Sequence, residues 1–253
     1  MGIALNKPLI GIVMCQIDKD GHPTQMVHNK YLDAVVNAGG IPLALPHMLI
    51  SDAALTGNPL ASLDGVLLTG STSNIEPHHY GERGTELHTD PGRDKLAFAI
   101  ITQAMAYQMP LMAICRGLQE LVVVTGGSLY RQVHLQPGLS DHREDTARSL
   151  EEQYAPAHSV SIEAGGLLSG LVNGRDNFQV NSLHQQGVRS LGPGARIEAR
   201  AADGLIEAVS LRHHPFALGV QWHPEWQSDK SEISRLLFEG FIRASDDYRR
   251  GNH

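Results

Sequence analysis

Three residues have the types and the spacing of an acyl-transfer centre: Cys115, His223 and Glu225. Cys115 stands where the apolar run Pro110-Leu111-Met112-Ala113-Ile114 gives way to Arg116-Gly117-Leu118-Gln119, the start of a helical stretch reaching Val124. That junction predicts a sharp strand-to-helix turn, the device that exposes a nucleophile above a hydrolase sheet. At a helix N-terminus the positive end of the dipole favours the thiolate. A fall of ~2 units from a free thiol near ~8.5 makes it the majority form at neutral pH. The Arg116 amide points to the same place and could donate to an oxyanion, and Gly117 lets the turn pack tightly. A cysteine at a strand end is also an ordinary small core residue, so the chemistry requires a base.

Gly219-Val220-Gln221-Trp222-His223-Pro224-Glu225 offers one with its orienting acid. Pro224 restricts His223 to extended geometry, and residues two apart then project to the same side, so the Glu225 carboxylate can sit behind the His223 ring. In a triad the acid fixes the imidazole's tautomer while the base takes the thiol proton and returns it to the leaving amine. With fourteen histidines in the chain a His-x-Glu pair arises cheaply. Its weight comes from the residues around it.

The elements that must position these groups alternate. Leu9 to Met14 predicts a buried strand, Met26 to Ala38 a helix closed by Gly39-Gly40, and Ile41 to Leu45 a second strand. Val66-Leu67-Leu68 predicts a strand running into the small polar loop Thr69-Gly70-Ser71-Thr72-Ser73. A helix over roughly Arg93 to Tyr107 follows Asp90-Pro91-Gly92. Cys15 also follows a strand, but Gln16 to Gly21 is expected to be a loop with no helix start, which leaves that thiol structural. The second half predicts short strands at His158 to Ile162, Phe178 to Asn181, Glu207 to Leu211 and Leu218 to Trp222, then a helix from about Asp229 to Ala244. Leu135 to Gln153 is expected to be a solvated loop. The fold class is α/β: a doubly wound, mostly parallel sheet flanked by helices, read as one domain over 1–253 with a folded core of about 8–245. Gly70 and Cys115 fall at carboxyl ends of strands, where such sheets bind ligands.

These segments resemble the class I glutamine amidotransferase-like superfamily of flavodoxin-like architecture, and within it the γ-glutamyl-γ-aminobutyrate hydrolases, of the peptidase C26 type. The resemblance runs over nearly the whole chain: the opening strand, Tyr31 to Pro46, Gly70 to Gly81, Pro91-Gly92-Arg93-Asp94, the Cys115 turn, Asn181-Ser182-Leu183-His184-Gln185-Gln186 and the His-Pro-Glu segment. One departure is Ala113, where many amidotransferase turns have glycine. The resemblance implies a Cys115-His223-Glu225 triad and an oxyanion hole of backbone amides at Gly70 or Ser71 and Arg116. It also makes Gln119 and His184 candidate contacts to a γ-glutamyl group, although hydrogen bonding within the fold explains either equally well. Implied as substrate is γ-glutamyl-γ-aminobutyrate or a γ-glutamyl polyamine from putrescine or spermidine breakdown, hydrolysed through a thioester. The rivals are a glutaminase subunit feeding ammonia to a separate synthase, a folate polyglutamate hydrolase, and a silent binding protein on the same fold. Asp18, Asp20, Glu82 and Glu86 could attract a cationic polyamine tail.

Composition narrows the partners. With 20 Lys+Arg against 27 Asp+Glu, a formal charge of -7 and no basic stripe, nucleic acid is not expected. Two cysteines make no disulfide framework and point to a reducing, cytoplasmic setting. The run from Leu9 is too short for a signal or a membrane span, and Met1-Gly2 with Asn6 fails the myristoylation pattern. His78-His79 and His213-His214 lack recognised metal-ligand spacing, so neither a metal nor another cofactor is expected. The partner is then a small-molecule substrate, with a homodimer as the base-rate assembly.

Overall fold

The structure, a computed structural model, describes residues 6–50 and 60–251. Met1-Gly2 lie outside them. The chain opens with β1 (Leu9–Val13), β2 (Cys15–Lys19), β3 (His22–Met26), α1 (Asn29–Asn37) and β4 (Ile41–Leu45). Then come β5 (Gly65–Leu68), α2 (Pro91–Tyr107), β6 (Leu111–Ile114), α3 (Arg116–Val124) and β7 (Ser128–Tyr130). The second half holds α4 (Leu150–Gln153), β8 (His158–Ile162), α5 (Leu167–Leu171), β9 (Asn177–Val180), β10 (Gly187–Ser190), β11 (Ala195–Ala201), β12 (Ile206–Leu211), β13 (Ala217–Val220) and α6 (Glu232–Gly251).

Among the described residues eleven strands form one sheet, in the order β4-β1-β5-β6-β13-β12-β11-β8-β9, with β10 and β7 branching from β12. Its first five strands are parallel, and everything beyond β13 pairs antiparallel. Alternate side chains of the parallel strands feed opposite faces. Ile10, Ile12, Leu67, Met112 and Ile114 pack with Tyr31 and Val35 of α1 and Phe238 and Phe241 of α6. Val13, Val66, Leu68, Leu111 and Ala113 pack with Leu96 and Ile100 of α2 and Leu121 of α3. Both faces are therefore covered, and the expected sheet with helices on either side is what forms. Among the described residues no helix is long and apolar enough to cross a membrane.

Three local expectations need correction. Gln16 to Gly21 is not a loop: β2 and β3 form a hairpin around Asp20-Gly21, whose φ values of 56° and 79° give the paired left-handed turn that an Asp-Gly dipeptide favours. This hairpin takes Met26, so α1 starts at Asn29. The closing helix runs past Ala244 to Gly251, its last turns carrying Asp246 ion pairs to Arg249 and Arg250.

Candidate active site

The parallel strands end side by side, and their ends carry the residues singled out above. Leu68 is in register with Ala113, and Ile114 with Val220. The Cys115 amide donates to the Val220 carbonyl at 2.8 Å. Gly70, Cys115 and His223 consequently stand along one rim of the sheet.

Cys115 caps α3 with φ 51° and ψ −104°, a left-handed conformation that a side chain disfavours and that surrounding packing must impose. Gly117 explains part of that packing: a β-carbon there would come 2.5 Å from the Leu68 carbonyl oxygen. The first amides of a helix have no intrahelical acceptor, and the N–H of Arg116, the first residue of α3, is one of them. His223 is fixed on two sides. Its Nδ1 lies 2.7 Å from Glu225 Oε1, and the Asn181 side chain grips its backbone, accepting from the amide at 2.7 Å and donating to the carbonyl at 3.1 Å. The Tyr154 ring meets the imidazole edge-on at 5.5 Å and stacks on Trp226.

The three groups are coupled electrostatically. Burial by itself raises the Cys115 thiol, but the hydrogen-bonded His223 ring outweighs it and brings the thiol below its ordinary value of 9.0. Burial alone lowers His223; Glu225 and the thiol outweigh it and hold the imidazole well above 6.5. For Glu225 burial raises, yet His223 and then Lys30 bring the carboxyl down to about 2. The arrangement favours a thiolate, an imidazolium and a carboxylate in line.

A cleft of about 600 Å³ opens above them, lined by Cys115, His223 and the Gly70 to Asn74 loop among others. Gly70 approaches so closely that a β-carbon would lie 2.7 Å from His223 Cε1 and from the Tyr31 hydroxyl. Its amide donates to that hydroxyl at 2.9 Å, so Tyr31 occupies one of the expected oxyanion donors. The Arg116 guanidinium holds the loop from below, donating to the Ser73 carbonyl at 2.9 Å and to Asp94 at 2.6 Å. Gln119 and His184 line the cleft but are also engaged inside the fold: Gln119 donates to the Gln186 carbonyl at 2.9 Å, and His184 Nδ1 bonds the same carbonyl at 2.9 Å.

The profile of the peptidase C26 family matches residues 8–225. The chain belongs to the peptidase C26 family. It is 56% identical over 240 residues to γ-glutamyl-γ-aminobutyrate hydrolase PuuD of Escherichia coli, with 95% of this chain and 94% of that one covered. It is 32% identical to protein NtpR of Enterococcus hirae, across 93% and 98% of the two chains. Among solved structures, the glutaminase domain of Trypanosoma brucei CTPS with bound acivicin superposes with a TM-score of 0.63 at 16% identity, covering 95% of this chain and 94% of that one. A glutamine amidotransferase from Thermotoga maritima gives 0.61 at 15%, over 95% and 99%. At such identities these two show the fold alone.

Several residues of this peptidase C26 site carry little mark in the sequence. Lys30 reaches Glu225 Oε1 at 2.8 Å and lies over the Tyr154 ring at 4.2 Å. Tyr154 itself is delivered by α4, whose Ser149 and Glu152 form a reciprocal cap inside the stretch read as solvated loop; the Ser-x-x-Glu spacing was the available signal. Asp141, Arg143, Glu144 and Asp145 of that stretch line the cleft. Asp18, Asp20, Glu82 and Glu86 do not; Glu82 and Glu86 are paired with Arg189 and Arg131. Cys15 accepts from the buried Arg93 guanidinium at 2.8 Å, and Arg93 in turn shares Glu120 with Arg116. His214 holds a turn, accepting from the Phe216 amide at 3.2 Å.

Proposed function

We propose that the chain hydrolyses the γ-glutamyl amide bond of γ-glutamyl-γ-aminobutyrate, releasing glutamate and γ-aminobutyrate, as a step in putrescine breakdown. The 56% identity to the E. coli hydrolase over nearly the full length of both chains carries this reading. The site geometry supports it. The Cys115 thiolate attacks the γ-carbonyl, and His223 gives its proton to the departing amine. Water, deprotonated by His223, then cleaves the thioester and returns the thiolate. Glu225 holds the imidazole throughout. The oxyanion takes the amides of Arg116 and of Gly70 or Ser71, with the Tyr31 hydroxyl withdrawing from Gly70 as the carbonyl arrives. The rim of the cleft carries both charge signs, Arg143 beside Asp141, Glu144 and Asp145, which suits a γ-glutamyl head bearing an ammonium and a carboxylate. Gln119 and His184 shape the wall beside that head. We take the enzyme to work in the cytoplasm, as a homodimer and without nucleic acid.

The test is glutamate release from γ-glutamyl-γ-aminobutyrate, γ-glutamylputrescine, γ-glutamylspermidine, folate polyglutamate and glutamine, with Cys115→Ala beside the wild type. Preference for the first substrate and loss of all release in the variant are expected. Release from glutamine alone, or equal release in both proteins, would overturn the proposal.

A further inference from the structure

Behind the active-site rim, three imidazoles converge on one carboxylate oxygen that has no hydrogen-bond donor. His142 Nδ1, His158 Nε2 and His184 Nε2 lie 3.6, 3.7 and 3.5 Å from Glu207 Oε1. Glu207 is fully buried, and neither of its oxygens has a hydrogen-bond partner; His158 Nε2 and His184 Nε2 are likewise buried and unpartnered. An unpaired buried carboxylate is costly, so the pocket calls for a cation. The His184 contact stands at the limit of a hydrogen bond, and those of His142 and His158 are too long for one. They fit donors around a shared ion: bonds of about 2.0–2.1 Å in a tetrahedron separate neighbouring donors by about 3.3 Å.

The outward ring nitrogen of His142 supports the same reading, because a ligating histidine ordinarily donates its other N–H to a fixed acceptor. His142 Nε2 lies 2.8 Å from Asp203, which also accepts from the Ser140 and Leu205 amides. The Ser182 hydroxyl, 3.3 Å from His142 Nδ1, is committed to the His142 carbonyl at 2.8 Å and so leaves that nitrogen free. We propose that His142, His158 and Glu207, whose donor atoms all lie within 4.8 Å of one another, form a structural site for a divalent first-row transition ion, zinc by its borderline nitrogen and oxygen donors. Three protein ligands hold the ion, and His184 stands beside them against Glu207. The work of the site is mechanical: His142 belongs to the segment that lines the cleft with Asp141 and Arg143, while Glu207 lies in β12 and His158 in β8, so the ion pins a wall of the active site to the sheet. A second group, Glu76, His78 and His79, also gathers within 4.8 Å but is partly exposed and lacks buried unpartnered atoms.

The experiment is elemental analysis of the full-length protein, produced with zinc in the medium and desalted, followed by cobalt exchange. Wild type, Cys115→Ala and the double variant His78→Ala/His79→Ala are each expected to hold about one zinc per chain, and the cobalt form to show visible bands of tetrahedral intensity. His158→Ala and Glu207→Gln are expected to lose the metal. Should those variants not fold, the wild type decides alone, through its cobalt spectrum and a Tm that rises with added zinc. Wild type with less than about 0.1 zinc per chain, zinc lost from Cys115→Ala or from the His78 and His79 variant, or zinc kept by both His158→Ala and Glu207→Gln would each overturn the site.

Discussion

Lys30 Nζ lies 2.8 Å from Glu225 Oε1, the same oxygen that takes the His223 ring at 2.7 Å. The carboxylate therefore faces two cations, the imidazole that reacts in the proposed mechanism and an ammonium that does not. Lys30→Met removes the second. Glu225, held at about 2 against an ordinary 4.5, contributes stability that is complete above about 4.5 and is lost as pH falls toward about 2. Without Lys30 the carboxyl titrates higher, so acid unfolding starts at a higher pH, and at neutral pH the cost is about 2–3 kcal/mol, discounted because Lys30 is partly exposed. Melts recorded from pH 7 to pH 3 check this, and superimposable acid profiles would reject it. Lys30→Arg should restore part of the difference.

The thiol should report its partner. The rate of Cys115 alkylation by iodoacetamide, followed by mass spectrometry against pH, is expected to inflect below 9.0 in the wild type. In His223→Ala the main lowering influence is gone, and burial, the largest influence and one that raises the thiol, outweighs the weaker pull of His184, so the inflection moves above that value. One common inflection in both proteins would mean that no ion pair forms.

Two glycines separate activity from stability. Gly70→Ala places a methyl 2.7 Å from His223 Cε1 and from the Tyr31 hydroxyl, both of them side-chain atoms able to move. The protein should fold while kcat/KM falls by about 100-fold as the imidazole is displaced. Gly117→Ala meets the Leu68 backbone at 2.5 Å, where little can give, and should cost about 1–3 kcal/mol or more in urea unfolding. The reverse pattern would contradict these packing assignments.

Beneath the Gly70 loop, Glu120 is fully buried between the guanidinium groups of Arg93 and Arg116. Glu120→Gln leaves two buried cations short of a counter-charge and is expected to cost about 3–5 kcal/mol. Chemical denaturation measures it directly; a change under about 1 kcal/mol would show that Asp94 and the loop carbonyls suffice.

What could be read in advance follows the range of each interaction. The Cys115 turn and the His-Pro-Glu segment are local: an apolar run, a helix start and an extended dipeptide place their own side chains. The parallel strands are continuous apolar runs and were likewise readable. Lys30, Tyr154 and Asn181 were not, because each acts on a partner that only the sheet order brings near. The same holds for Arg93 and Glu120, polar residues in apolar helical stretches whose burial becomes intelligible once Arg116 stands beside them. The three histidines around Glu207 come from three separate segments and follow no spacing rule. The hairpin at Asp20-Gly21 is a different case: its dipeptide signal is in the sequence, and the lack of a helix start in Gln16 to Gly21 is equally compatible with a hairpin and with a loop.

The register of Ile114 with Val220 also has a consequence in time. β6 lies at the centre of the sheet, yet the neighbour that delivers His223 is made about a hundred residues later, after β7 to β12. Closing so long a loop is slow compared with forming local helices. A growing chain thus carries Cys115 without its proposed base until β13 and the residues just after it have been synthesised. In the proposed mechanism the thiol acquires its reactivity in the same step that completes the sheet, so partly made or truncated chains would hold an unactivated cysteine, and no reactive nucleophile would be set free on an unfinished protein.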